Sequence, residues 1–215
     1  MVQISGKNIL FDPFISPNPK ASVVDISTIQ PDIILISHGH GDHIADAVEI
    51  ASQSKAQVIS VYEVVEWLKA KGIENSIPMN TGGSINLGFC KIKLVNAAHS
   101  SSLPDGSYGG NPVGFVIESN ESNFYYAGDT ALTLDMKLIG EEHLLDFCFL
   151  PIGDHFTMNA IDAAKACKFV NCKTAIGMHF DTFPPIEINH MDAHQHFKVL
   201  KLELILPKIN HTIEL

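Results

Sequence analysis

The chain has 215 residues, 46% of them hydrophobic and 18% charged, so it can bury its own core without staples, and disorder is set aside. Fourteen basic against 24 acidic residues leave a formal charge of −10, which repels a polyanion and argues against nucleic acid as a partner. No apolar run reaches the roughly 18 residues that a membrane span needs, so no membrane role is expected.

The start reads as a β-hairpin, Val2–Ser5 and Ile9–Phe11, around a turn at Gly6-Lys7-Asn8. Pro13, Pro17 and Pro19 then mark a loop. Asp32–Ser37 is a continuous apolar run, the pattern of a strand covered on both faces. Ile44, Ala47, Val48 and Ala51 recur at helical spacing and predict a helix over 44–54. A strand at Gln57–Val61 and a helix at Glu63–Lys71, stopped by Gly72, follow.

The middle of the chain is rich in β signals. Ser84–Leu87 and Phe89–Val95 pair around Gly88, a polar loop covers Ser100–Pro112, and Val113–Glu118 with Phe124–Ala127 forms a hairpin. Asp146–Leu150 is a buried strand, and Asn159 caps a helix running to Val170. Thr174–Met178 is a strand, Asn189–Lys201 a last helix, and Leu202–Leu206 closes the core. Strands and helices alternate, with added hairpins. This predicts an α/β arrangement of two mixed sheets with outer helices in a single domain over 1–215. A cut near residue 105 leaves halves of similar composition. The four cysteines form no C-x-x-C pair, and Cys90 and Cys148 read as small buried hydrophobes. With no signal peptide at the start, a reducing cytoplasm is the expected location.

The chemistry concentrates in Ser37-His38-Gly39-His40-Gly41-Asp42-His43, where three histidines and an aspartate fall within six residues. The run begins where a buried strand ends, the place where α/β folds put their sites. In extended chain, residues two apart face the same way, so His38 and His40 can grip one ion. After the bend at Gly41, Asp42 and His43 can grip a second. Imidazole and carboxylate suit zinc, with manganese or iron as alternatives. His99, Asp129 and His179 each follow another strand and add metal-competent side chains at strand ends.

These stretches resemble the metallo-β-lactamase superfamily, whose signature is H-x-H-x-D-H. Within it they are most similar to the metal-dependent hydrolase branch related to L-ascorbate-6-phosphate lactonases. The resemblance rests on Ile9–Phe14, His38–His43, Ala98–Ser102, Tyr108–Phe115, Tyr126–Thr130, Pro151–Asp154 with Phe156–Met158, and Met178-His179. It implies an αββα sandwich with a site at one edge, between the sheets. It also implies that His38, His40 and His99 bind one metal ion, that Asp42, His43 and His179 bind a second, and that Asp129 bridges the pair. Asp12 would orient ligands. Relatives of that branch carry a further N-terminal strand ahead of the hairpin, and similarity fades after Glu187.

The expected reaction is hydrolysis of a small ester, lactone or phosphoester by two divalent ions that activate water, with Asp129 and Asp42 holding them. His155 and Asp154 lie just beyond the strand Asp146–Leu150, where they could transfer a proton or orient a ligand; a surface loop is the other reading. His190, His194 and His196 read as a solvated helix face, and Ser100–Ser102 as a polar loop. The expected substrate is a small, anionic molecule, and a homo-oligomer is plausible. The competing functions are a phosphodiesterase or nuclease-type hydrolase, and a non-catalytic metal-binding domain.

Overall fold

The structure is a computed structural model describing Met1–Leu215. Val2–Ile4 (β1) and Lys7–Phe11 (β2) form the opening hairpin, and the turn is Ser5-Gly6 rather than the expected Gly6-Lys7-Asn8. Both turn residues have positive φ (50° and 71°), the two-residue geometry whose twist matches the flanking strands. Ile33–Leu35 (β3), Gln57–Val61 (β4) and Ser76–Met79 (β5) extend this sheet in the order β1-β2-β3-β4-β5, parallel from β2 onward.

The second sheet holds Ser84–Asn86 (β6), Cys90–Asn96 (β7), Val113–Ser119 (β8), Phe124–Tyr126 (β9), Phe147–Pro151 (β10), Thr174–Met178 (β11) and Glu203–Ile205 (β12). Its order is β12-β11-β10-β9-β8-β7-β6, antiparallel among β6–β9 and parallel among β9–β12. The helices are Gly41–Ile44 (α1), Ala47–Ser54 (α2), Tyr62–Lys69 (α3), Asp135–Glu142 (α4), Ala160–Phe169 (α5) and His190–Val199 (α6). None is long and apolar enough to cross a membrane.

The predicted helix over 44–54 is thus two helices. Asp46 breaks it: its N–H donates to Pro13 O (3.1 Å), and its carboxylate accepts the N–H groups of Ile15 (2.5 Å) and Ser16 (3.0 Å). Strand β5 and helix α4 were not expected. β5 is an edge strand with an exposed Pro78 and otherwise half-buried side chains; α4 has no side-chain cap and buries only Met136 and Ile139.

The two sheets face each other across a continuous apolar core. Phe11 of β2 stacks on Tyr126 of β9 at 4.4 Å between ring centroids, and Phe115, Phe124 and Phe149 surround it. A second cluster packs the outer face of the larger sheet against α4, α5 and α6. The two mixed sheets with helices outside are the αββα arrangement that the sequence led us to expect. The strands β2, β3, β7, β9 and β11 all send their C-terminal ends towards the residues that form the site.

Candidate metal centre

Ser37 leaves β3 fully buried, and its carbonyl accepts the N–H of Val113 (3.0 Å), which ties the first sheet to the second just where the histidine run begins. Gly128 lies against the same point with φ +61°. A Cβ there would sit 2.8 Å from both Ser37 Cβ and Val113 O, so only glycine lets the chain deliver Asp129. Gly153, after β10, is pressed on the carbonyl of His179 so closely that a Cβ has no room.

His38 is fully buried, and its Nε2 lies 3.0 Å from His40 Nδ1. His99 completes a group with these two, their ligand atoms all within 4.8 Å of one another. Asp42, His43 and His179 form a second such group, and His38, His43 and Asp129 a third that overlaps both. Asp129 Oδ2 lies 3.1 Å from His179 Nε2, 3.2 Å from His43 Nε2 and 3.7 Å from His99 Nε2, between the two outer groups. Asp42 Oδ2 is 3.5 Å from His179 Nε2 and 3.8 Å from His43 Nε2. All seven residues singled out in the sequence therefore converge.

Asp12 ties these groups together. Its carboxylate accepts Ser37 N–H (2.7 Å), Ser37 O–H (2.7 Å) and Tyr126 O–H (2.9 Å), and Oδ2 also lies 3.0 Å from His43 Nδ1. Because the Ser37 hydroxyl donates to Asp12, it can only accept from His38 Nδ1, 2.9 Å away. That fixes the proton on His38 Nδ1 and leaves Nε2, the atom facing His40, free as a ligand. Burial and the neighbouring Asp12 hold the Tyr126 phenol well above its usual pKa, so it stays a donor.

The electrostatics are those of a charged cluster taken out of water. Burial opposes ionisation of Asp129, yet His43 and His179 outweigh it and hold the carboxyl well below its usual range. Burial also opposes ionisation of Asp42, yet contact with His179 and the His43 charge bring it down to about 2. His43 is pushed well above the usual histidine value, since Asp129 and Asp12 outweigh its burial, and His179 is raised to about 9 against burial by Asp129 and Asp42. Burial and its histidine neighbours push His38 well down.

The donor set fits divalent cations. Asp129 Oδ1 and His179 Nδ1 are buried without a hydrogen-bond partner, and both ring nitrogens of His43 meet carboxylate oxygens (3.0 and 3.2 Å) without hydrogen-bond geometry, a cost that ligation removes for atoms facing an ion. Nitrogens 3.0 Å apart, as in His38 and His40, suit one ion about 2.0–2.1 Å from each.

Residues 7–180 match the Beta-lactamase superfamily domain. A UPF0173 metal-dependent hydrolase of Flavobacterium johnsoniae is 50% identical over 100% of this chain and 95% of its own length. Another, from Methylacidiphilum infernorum, is 47% identical over 99% of this chain and 94% of its own. The chain belongs to the UPF0173 metal-dependent hydrolase family. Its fold is similar to that of Igni18, a metallo hydrolase from Ignicoccus hospitalis, with a TM-score of 0.88 and 31% identity over 98% of this chain and 91% of that one. The protein is thus a metal-dependent hydrolase of the metallo-β-lactamase superfamily.

Other expectations for this UPF0173 hydrolase fare differently. Asp154 and His155 sit on an exposed turn, His155 touching Phe156, and neither lines the cavity at the centre. That cavity, about 170 Å³, is lined by Asp12, Asp42, His43, Tyr126, Asp129 and His179 together with residues from two loops. One is the β11–α6 loop, with Thr182, Phe183 and Ile186; the other, Phe14 and Asn18 after β2, was missed because nothing in an isolated proline-rich loop points to a ligand. Ser101 is not at the cavity: its Oγ accepts Gly39 N–H (3.1 Å) and braces the histidine run. His190 does more than face solvent, since its Nε2 lies 2.6 Å from Asp181 Oδ2. Cys148, Cys167 and Cys172 also cluster, but in the core, with each sulfur against a backbone carbonyl at 3.3–3.7 Å. Cys148 is the buried small side chain that was expected.

Proposed function

We propose that His38, His40 and His99 hold one divalent cation, that Asp42, His43 and His179 hold a second, and that Asp129 serves both. The convergence of two overlapping His/Asp groups on one buried aspartate carries this reading. Zinc suits the five imidazoles and two carboxylates best, and manganese or iron also suit them. Bound there, the ions would lower the pKa of water towards about 7 and polarise the group under attack.

The chain's own residues supply the rest. Asp12 and Ser37 fix the tautomer and direction of His38 and hold His43 from behind. Asp42, whose side chain is 32% exposed, is the most accessible of the carboxylates that line the cavity and can accept a hydrogen bond from water there. We infer hydrolysis of a small ester, lactone or phosphoester, with a small molecule rather than nucleic acid as substrate. Hydrolysis of nitrophenyl esters and simple lactones by the metal-loaded protein, lost in Asp129→Ala with the fold intact, is the expected result. Bound metal with no turnover on either class would leave a non-catalytic metal-binding protein instead.

A further inference from the structure

The wall of the cavity away from the charged cluster is made by Phe14, Asn18, Met178, Thr182, Phe183 and Ile186. A small anionic substrate was expected, yet no lysine lines this wall. The chain contains no arginine at all, all fourteen of its basic residues being lysines. Three carboxylates, Asp12, Asp42 and Asp129, face the same space. Two divalent cations would offset these three with a single charge to spare. Apart from ions held by the charged cluster, this wall brings no cationic side chain to a phosphate or carboxylate, and its polar side chains, Asn18 and Thr182, are neutral.

What the wall does offer is a pair of aromatic rings on braced loops. Phe14 and Phe183 come from different loops, and their ring centroids are 6.1 Å apart. The Phe14 loop is clamped by the Asp46 carboxylate on the N–H groups of Ile15 and Ser16. The Phe183 loop is clamped by Asp181, which accepts Ile188 N–H (3.0 Å) and meets His190 Nε2 (2.6 Å). The aromatic pair is therefore set before a ligand arrives.

We propose that the group bound beside the metal centre is small and uncharged: an aliphatic or ring-bearing acyl group packed against Phe14 and Phe183, with one neutral polar atom addressed by Asn18 or Thr182. The cavity of about 170 Å³ has room for a group of several non-hydrogen atoms. This assignment rests on the hydrolase reading above and narrows its substrate to neutral esters or lactones.

Binding separates the two claims, because it needs no turnover. Propyl methyl sulfone and propanesulfonate have the same shape, about seven non-hydrogen atoms each, and differ in charge. Their dissociation constants on the metal-loaded protein can be read by ligand-observed NMR, with metal content measured in parallel. The neutral sulfone is expected to bind at least about ten-fold tighter than the sulfonate. Phe183→Ala should weaken the sulfone about ten-fold without changing metal content, and Thr182→Lys should raise sulfonate affinity. Equal or tighter binding of the sulfonate to the native chain, or no binding of either probe with metal in place, overturns the assignment. Preferential sulfone binding in a protein that hydrolyses no ester supports the assignment and counts only against the reaction.

Discussion

Asp12 stands behind two histidines at once, reaching His38 through Ser37 and His43 directly. Asp12→Asn keeps the shape but removes the charge opposite His43 and puts a donor where hydroxyls donate. Metal affinity should fall by about 10–100-fold, as measured by competition with a chelator. His179 gives a pH signature. Its pKa in the metal-free protein, about 9, lies above the ordinary histidine value of about 6.5. Its contribution to metal-free stability is therefore complete below pH ~6.5 and is lost as pH rises through about 9. Ligation needs the neutral ring, so binding strengthens over the same interval. The gap in Tm between metal-loaded and chelated protein should widen from pH 6.5 to 9; a constant or shrinking gap contradicts this placement of the proton. At this scale the sequence was most informative where the donors are contiguous, since His38, His40, Asp42 and His43 cannot be far apart. Phe14, Asn18 and Phe183 were silent, because a lone aromatic or amide in a loop acquires meaning only from what the fold places opposite it.

The elements were legible where periodicity and caps agreed. Asn159 caps its helix as expected, accepting the N–H of Asp162, and Asn189 accepts those of Met191 and Asp192 at the start of the last helix. Strand β3 is buried on both faces, as its unbroken apolar run predicted. Periodicity alone ran α1 and α2 together, because it is blind to a carboxylate that prefers a distant loop to its own helix. Asp46→Ala should cost about 1–3 kcal/mol in denaturant unfolding, since it removes two charge-assisted hydrogen bonds from a buried carboxylate to the N–H groups of Ile15 and Ser16. Gly153→Ala acts at the opposite wall. With no room for a Cβ against the His179 carbonyl, β11's end must shift, costing about 1–3 kcal/mol and weakening metal retention at the Asp42–His43–His179 group. Unchanged metal affinity in that variant would show that His179 does not depend on this contact.

At the scale of the molecule, the two-sheet arrangement was readable from the alternation of strands and helices. The division between sheets was not: it falls between Met79 and Ser84, away from the compositional midpoint near residue 105. Composition averages over elements, whereas sheet membership is decided by strand pairing. We propose that both sheets form one cooperative unit, because the core between them draws on strands from each. The metal centre sits on that seam, with Asp12 and His38 from the first sheet and Asp129 and His179 from the second. The measurement that bears most directly on this account is metal content per chain after purification and exposure to zinc or manganese, beside a His38→Ala/Asp129→Ala variant that still folds. About two equivalents in the native chain and far fewer in the variant are expected. A native chain that retains no tightly bound metal would contradict the dinuclear centre and the mechanism built on it.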